Sequence, residues 1–146
     1  MTQLGIVKVE YIPAARVADW GALPRGSSVA IASYIESGSS FTELRSLMEE
    51  ASLVERWSSG TDGTASEATA SGKVRSNIEG VRDTLTQLLG VPLVLLVTTV
   101  DGQKRLVGSR SCPCRLAWDS SLQGLSSNAL SWTFECRSTH GVLRAT

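Results

Sequence analysis

Between Gly90 and Ser109 the chain reads GVPLVLLVTTVDGQKRLVGS, and no other stretch restricts the fold as strongly. Residues 93–100 are nearly all apolar or β-branched. Val94, Val97, Thr98, Thr99 and Val100 are stiff at χ1 and favour a pleated surface over a buried helix. Asp101-Gly102 is a hairpin dipeptide, because a tight turn between twisted strands needs positive φ at its centre. Residues 104–107 then resume as a second strand. The stretch predicts a buried central hairpin, and none of its residues suggests chemistry.

Length and charge set outer bounds. At 146 residues the chain predicts a single domain, large enough to bury roughly 68–70% of the surface its unfolded form exposes. Fourteen basic residues balance fourteen acidic ones, which points away from sequence-specific nucleic-acid binding and from an anionic membrane. Near-zero net charge also does little to oppose self-association. The first residues, MTQLGIVKVEYIP, lack the basic head and apolar core of a signal peptide, and no apolar run approaches the roughly 20 residues that span a bilayer. Synthesis in a reducing cytosol is therefore expected, with the three cysteines as free thiols.

Taken in order, residues 4–12 alternate as a half-buried first strand that Pro13 stops. Residues 14–28 carry no sustained period and predict a loop. Residues 29–35 alternate again and predict a second strand able to pair with the first. Over residues 41–57 two readings compete. Phe41, Leu44, Leu47, Met48, Ala51, Val54 and Trp57 recur at three and four, and Ser40 with Glu43 has capping-box spacing, so periodicity favours a second helix. The other reading is two strands, at about 41–48 and 53–58.

Residues 58–72, SSGTDGTASEATASG, hold too little apolar surface to offset their ordering entropy and predict a flexible loop, or one ordered by a neighbouring subunit. A short strand over 73–77 leads to a helix over about 78–89. Its apolar stripe is Ile78, Val81, Leu85, Leu88 and Leu89, with Asn77 as N-cap, Gly90 at C′ and Pro92 beyond. The last third predicts another hairpin, in a register whose residue numbers sum to 250. Trp118 then faces Trp132, Leu116 faces Phe134, and Cys114 faces Cys136, all on one side of the sheet. The tail 138–146 is expected to be ordered only by a neighbour.

Candidate chemistry is sparse. Cys112, Cys114, Cys136 and His140 form the nearest thing to a metal set, since three thiolates and an imidazole can hold zinc. However, Cys112-Pro113-Cys114 has one intervening residue where zinc sites usually have two to four. A Cys114–Cys136 disulfide is a second reading, and buried free cysteines acting as small hydrophobes are the favoured one. A Cys136 nucleophile with His140 as base would lack an orienting third group and an oxyanion hole. No nucleophile elbow, Walker loop or dinucleotide fingerprint is present. Glu43, Glu49, Glu50 and Glu55 suit a solvated face, and Lys104 and Arg105 suit a solubilised turn. Trp20, Trp57, Trp118 and Trp132 are expected as core or interface anchors. The residue chemistry thus points away from an enzyme and implies no cofactor.

The second half, about residues 78–142, resembles small virion structural proteins of tailed bacteriophages and prophages, especially of the Bacteroidetes type. The matching signals are a Leu-rich helix, a strand ending in Asp101-Gly102, the Leu106-Val107-Gly108 strand, Pro113 with Leu116, and a closing strand ending in Thr139-His140. The paired cysteines depart from that pattern. The resemblance implies a predominantly antiparallel β-sandwich or small barrel with one flanking helix, tail-tube-like, within the α+β class. It also implies assembly into rings of the tail or head-tail neck, with an early loop or hairpin reaching the next subunit. That favours strands over residues 41–57 and gives residues 58–72 an assembly role, with Trp57, Thr61, Asp62, Gly63 and Glu67 as interface candidates. The expected partners are other copies of the chain and other tail or neck proteins, within a virion built in a bacterial cytoplasm. The alternatives are a monomeric or dimeric binding module with its ligand over Trp118 and Trp132, and a small zinc or thiol protein.

Overall fold

The computed structural model describes residues 2–17, 28–36, 38–44, 50–61, 63–74, 78–121, 129–138 and 141–145. The chain is mainly antiparallel β with one helix longer than a single turn, an α+β fold. Ten strands form one open sheet. They are β1 (Thr2–Pro13), β2 (Ser28–Val29), β3 (Thr42–Glu43), β4 (Glu50–Gly60), β5 (Gly63–Val74), β6 (Leu93–Thr99), β7 (Lys104–Val107), β8 (Arg115–Ser121), β9 (Ala129–Ser138) and β10 (Leu143–Ala145). Their spatial order is β2-β10-β7-β6-β1-β4-β5-β9-β8, with β3 on the side of β1.

Strand β1 joins the two halves of this sheet. Its first residues pair with β4, as Leu4 with Leu53, and from Ile6 onward it pairs with β6, with a bulge between Ile6 and Lys8. A bulge sharpens local twist and bends the strand, so one strand can serve two arms that fold towards each other. The outer end of one arm turns back onto the other at a bridge between Cys114, just before β8, and Leu93 at the start of β6, where the Leu93 N–H donates to the Cys114 carbonyl (3.1 Å) and the Cys114 N–H donates to the Leu93 carbonyl (2.6 Å).

The core lies between the arms. Val9, Leu93, Leu95 and Val97 face Leu53, Ala70, Leu130, Trp132 and Phe134, and Val81, Leu85 and Leu88 of the helix α2 (Ile78–Leu88) cover the same cluster. A second cluster, Ile12, Val94, Leu96, Leu106, Leu143 and Tyr34, fills the other face of β6. Strand β6 is therefore apolar without alternation because both its faces are covered, as in the centre of a layered sheet. Each large side chain so buried contributes roughly 1.5–3 kcal/mol.

The central hairpin forms as expected, with Leu96 opposite Leu106. Its turn is held by Asp101, whose carboxylate accepts from the Thr99 hydroxyl, the Gln103 N–H (3.1 Å) and the Arg105 guanidinium (2.9 Å). The helix also forms, although it ends at Leu88 and leaves Leu89 exposed. Gly90, at φ 78°, follows it as the left-handed terminator. Asn77, the expected N-cap, lies outside the described residues.

Four expectations are corrected. Residues 29–35 are not a strand paired with β1. Ser28–Val29 is a two-residue strand in parallel pairing with β10, and Ile31–Tyr34 is one helical turn (α1) that buries the Tyr34 ring. Residues 41–57 are not a helix. β3 and β4 occupy the described part, because β1 supplies backbone partners to both, Glu10 to Glu43 and Gln3 to Val54. Residues 58–72 are not a loop but the distal end of β4 and most of β5, in a continuous ladder from Glu50–Lys73 to Gly60–Gly63. The tail 138–146 is not left to a neighbouring subunit, since β10 pairs with β7 and β2 within the chain.

Candidate functional site

Small side chains explain how a Ser/Ala/Thr segment becomes a strand. Along β5, Ser66, Ala68, Ala70 and Val74 point inward, and Glu67, Thr69, Ser71 and Lys73 point the other way. The inward row is small because β9 sets Phe134 opposite Ala70 and Trp132 opposite Gly72. These two rings meet edge to face with centroids 5.8 Å apart, and larger residues on β5 would collide with them.

Beyond that core the β4–β5 hairpin continues with no further strand paired to it among the described residues. Strand β1 pairs with β4 no further than Glu55, and β9 pairs with β5 no further than Ser66. Among the described residues, 56–60 and 63–65 thus pair only with each other. This makes an arm about 17 Å long, at ~3.4 Å per residue. Residues 56–61 and Gly63 are exposed. An isolated two-stranded ribbon is marginal in water, and Ser58, Ser59, Gly60 and Gly63 are poor strand formers.

The base of the arm is anchored by Trp57, 40% exposed. Its indole lies over Gly141, a buried residue at φ 73° with no room for a side chain. Next to it the Glu55 carboxylate accepts from the Val142 N–H (2.6 Å), and the Ser138 hydroxyl accepts from the Gly141 N–H (3.0 Å). Of the interface candidates, Trp57 therefore sits at the arm's root, and Thr61 and Gly63 sit at its tip. Glu67 lies on the outer face opposite Arg137. Asp62 lies outside the described residues.

The predicted register of the last hairpin is present, with Trp118 opposite Trp132 and Leu116 opposite Phe134. Trp132 is fully buried, and Trp118 is half-buried with the Arg82 guanidinium 5.6 Å from its ring centre. The turn 122–128 is outside the described residues.

Cys114 and Cys136 follow the same register one step past the ladder. Both are buried free thiols, and Cys112 is a free thiol partly open to solvent. The Cys136 thiol donates to the Cys112 carbonyl (3.1 Å), and Cys114 Sγ lies 3.3 Å from the Val107 carbonyl oxygen. The neighbouring Cys136 thiol, and then burial, hold the Cys114 pKa well above the ordinary thiol value. Among the described residues no three His, Cys, Asp or Glu side chains gather into a metal-holding group, and His140 lies outside them.

Two grooves mark the outer face of the sheet. The larger, about 790 Å³, is lined by small residues, Gly5, Ser52, Ser71, Gly72, Ser131 and Thr133 among them, with Lys73 as its only charge. The smaller, about 530 Å³, carries Glu67, Arg115, Glu135 and Arg137 and reaches Cys112 and Cys136. Its charges alternate across the strands, Glu67 opposite Arg137 and Arg115 opposite Glu135, which favours strand pairing by a few tenths of a kcal/mol each. Among the described residues, no helix is long and apolar enough to cross a membrane.

Sequence reasoning missed the arm because its composition resembles a linker. The available signal was the period-two alternation of Ser66, Ala68 and Ala70 with Glu67, Thr69 and Ser71. No protein-family model, curated protein or solved structure matches this chain.

Proposed function

We propose that this chain is a non-enzymatic assembly subunit, a structural component of the tail or head-tail neck of a tailed phage or prophage, which associates into rings. The observation that carries this reading is the arm, because among the described residues, 56–60 and 63–65 pair as strands only with each other. An element that is marginal by itself and distant from the core finds its stabilisation in a second copy, and a head-to-tail contact of that kind closes into a ring when the rotation permits. The virion assignment rests on the sequence resemblance over residues 78–142. Balanced charge agrees with self-association.

The test is an arm-shortened variant in which residues 58–65 are replaced by Asn-Gly, joining Trp57 to Ser66 through a two-residue turn. The expected outcome is a folded chain with a thermal midpoint within a few degrees of the parent and a native mass reduced to that of a monomer. An unchanged oligomer would overturn the arm's role.

A further inference from the structure

Strands β8 and β9 run antiparallel with Arg115 opposite Glu135. One step further, Cys114 stands directly across from Cys136, with both side chains on the buried face. Opposed residues of an antiparallel pair have Cα atoms about 4.5–5.5 Å apart, inside the ~4.4–6.8 Å range that a disulfide accepts. Cys136 also lines the 530 Å³ groove, so a small oxidant has a route to its sulfur.

We propose that Cys114 and Cys136 are an oxidation site that closes to an intramolecular disulfide when the protein meets a peroxide. The Cys136 sulfur attacks one peroxide oxygen, the O–O bond breaks, and hydroxide leaves and takes up the thiol proton as water. Cys136 is then a sulfenic acid. The Cys114 sulfur attacks the Cys136 sulfur, the S–O bond breaks, and the second oxygen leaves as water with the Cys114 proton. Two thiols and one peroxide become one disulfide and two waters.

The position of the bond gives it a structural consequence. The backbone of Cys114 makes the single bridge to Leu93 that ties the two arms of the sheet. A disulfide there fastens that seam to β9. The chain would fold with free thiols in a reducing compartment and be locked after release into an oxidising one. This chemistry does not depend on the assembly reading.

The full chain is exposed to hydrogen peroxide at modest excess, then denatured, and its free thiols are counted alongside non-reducing peptide mapping. The parent is expected to fall from three free thiols to one, and Cys112→Ser from two to none, with the peptide containing Cys136 linked to that containing Cys114. Cys114→Ala is expected to stop at the Cys136 sulfenic acid, trapped by dimedone before denaturation, with no linked peptides. The oxidised Cys112→Ser chain is expected to melt roughly 5–10 °C higher, an effect that reductant reverses. A parent that keeps three thiols, or a Cys112→Ser chain that keeps two, would overturn the proposal. Cys112→Ser contains only the proposed pair, so it decides the matter even if the buried variants fail to fold.

Discussion

Gly141 and Gly102 separate two costs that usually occur together. Both have positive φ, 73° and 82°. A Cβ at Gly102 meets nothing within 4 Å, whereas one at Gly141 runs into the Trp57 indole and comes 2.8 Å from the Glu55 carboxylate. Gly102→Ala therefore carries only the left-handed backbone penalty, about 1–2 kcal/mol. Gly141→Ala adds displacement of Trp57, about 1–3 kcal/mol as an overpacking cost. It also strains the hydrogen bond from the Val142 N–H to Glu55 (2.6 Å). The sum is about 2–5 kcal/mol. For a chain of this size 1 kcal/mol moves the thermal midpoint by about 3 °C, so Gly102→Ala should lose roughly 3–6 °C and Gly141→Ala roughly 6–15 °C. Urea midpoints at constant m-value would give the same ordering. Equal losses at the two positions would refute the packing of Trp57 on Gly141, and with it the anchoring of the arm at its root.

Three further outcomes follow from the packing and the titrating groups. Ala70→Leu places a large side chain against Phe134 at a fully buried position and should cost about 1–3 kcal/mol, checked by urea unfolding. The Asp101 carboxyl is held below its ordinary value by the Thr99 hydroxyl first, then the Gln103 N–H, with Arg105 adding. Its stabilisation is present above the ordinary carboxylate value and is lost as pH falls through the depressed one, so Asp101→Asn should flatten the acid side of the stability profile. Carbon-13 NMR should show the Asp101 midpoint rising in Thr99→Val. Burial, with Cys136 and Cys114 adding, pushes the Tyr34 phenol up to about 12. Stability from this group is full below pH 10 and is lost as pH rises towards 12, a decline that Tyr34→Phe should remove in urea midpoints taken across that window.

Much of the fold was legible because local signals and tertiary partners agreed. The run over 93–100 needed no alternation once both its faces were covered, Asp101-Gly102 closed its hairpin, and the stripe of Val81, Leu85 and Leu88 met the core it was patterned for. The register of β8 against β9 followed from requiring Trp118, Trp132, Leu116 and Phe134 to share a face. Over 41–57 a three-and-four spacing coexisted with the alternation of Ala51, Leu53, Glu55 and Trp57. What decided between them was non-local, the edges that β1 offers to β3 and β4. Likewise, a strand of Ser, Ala and Thr is intelligible only after its partner is known to carry Trp132 and Phe134. The candidate site was half visible. Trp57, Thr61, Asp62, Gly63 and Glu67 were marked as interface candidates, but that the Ser/Gly/Thr/Ala segment pairs with β4 as a strand was not legible.

The most direct test of the assembly account is the native mass of the purified chain by light scattering across a concentration series, with electron microscopy of the same sample. The account predicts a mass that is a fixed multiple of 15.5 kDa, rising with concentration from the monomer, and ring-shaped particles in the images. A monomer at every concentration, with no rings, would contradict it.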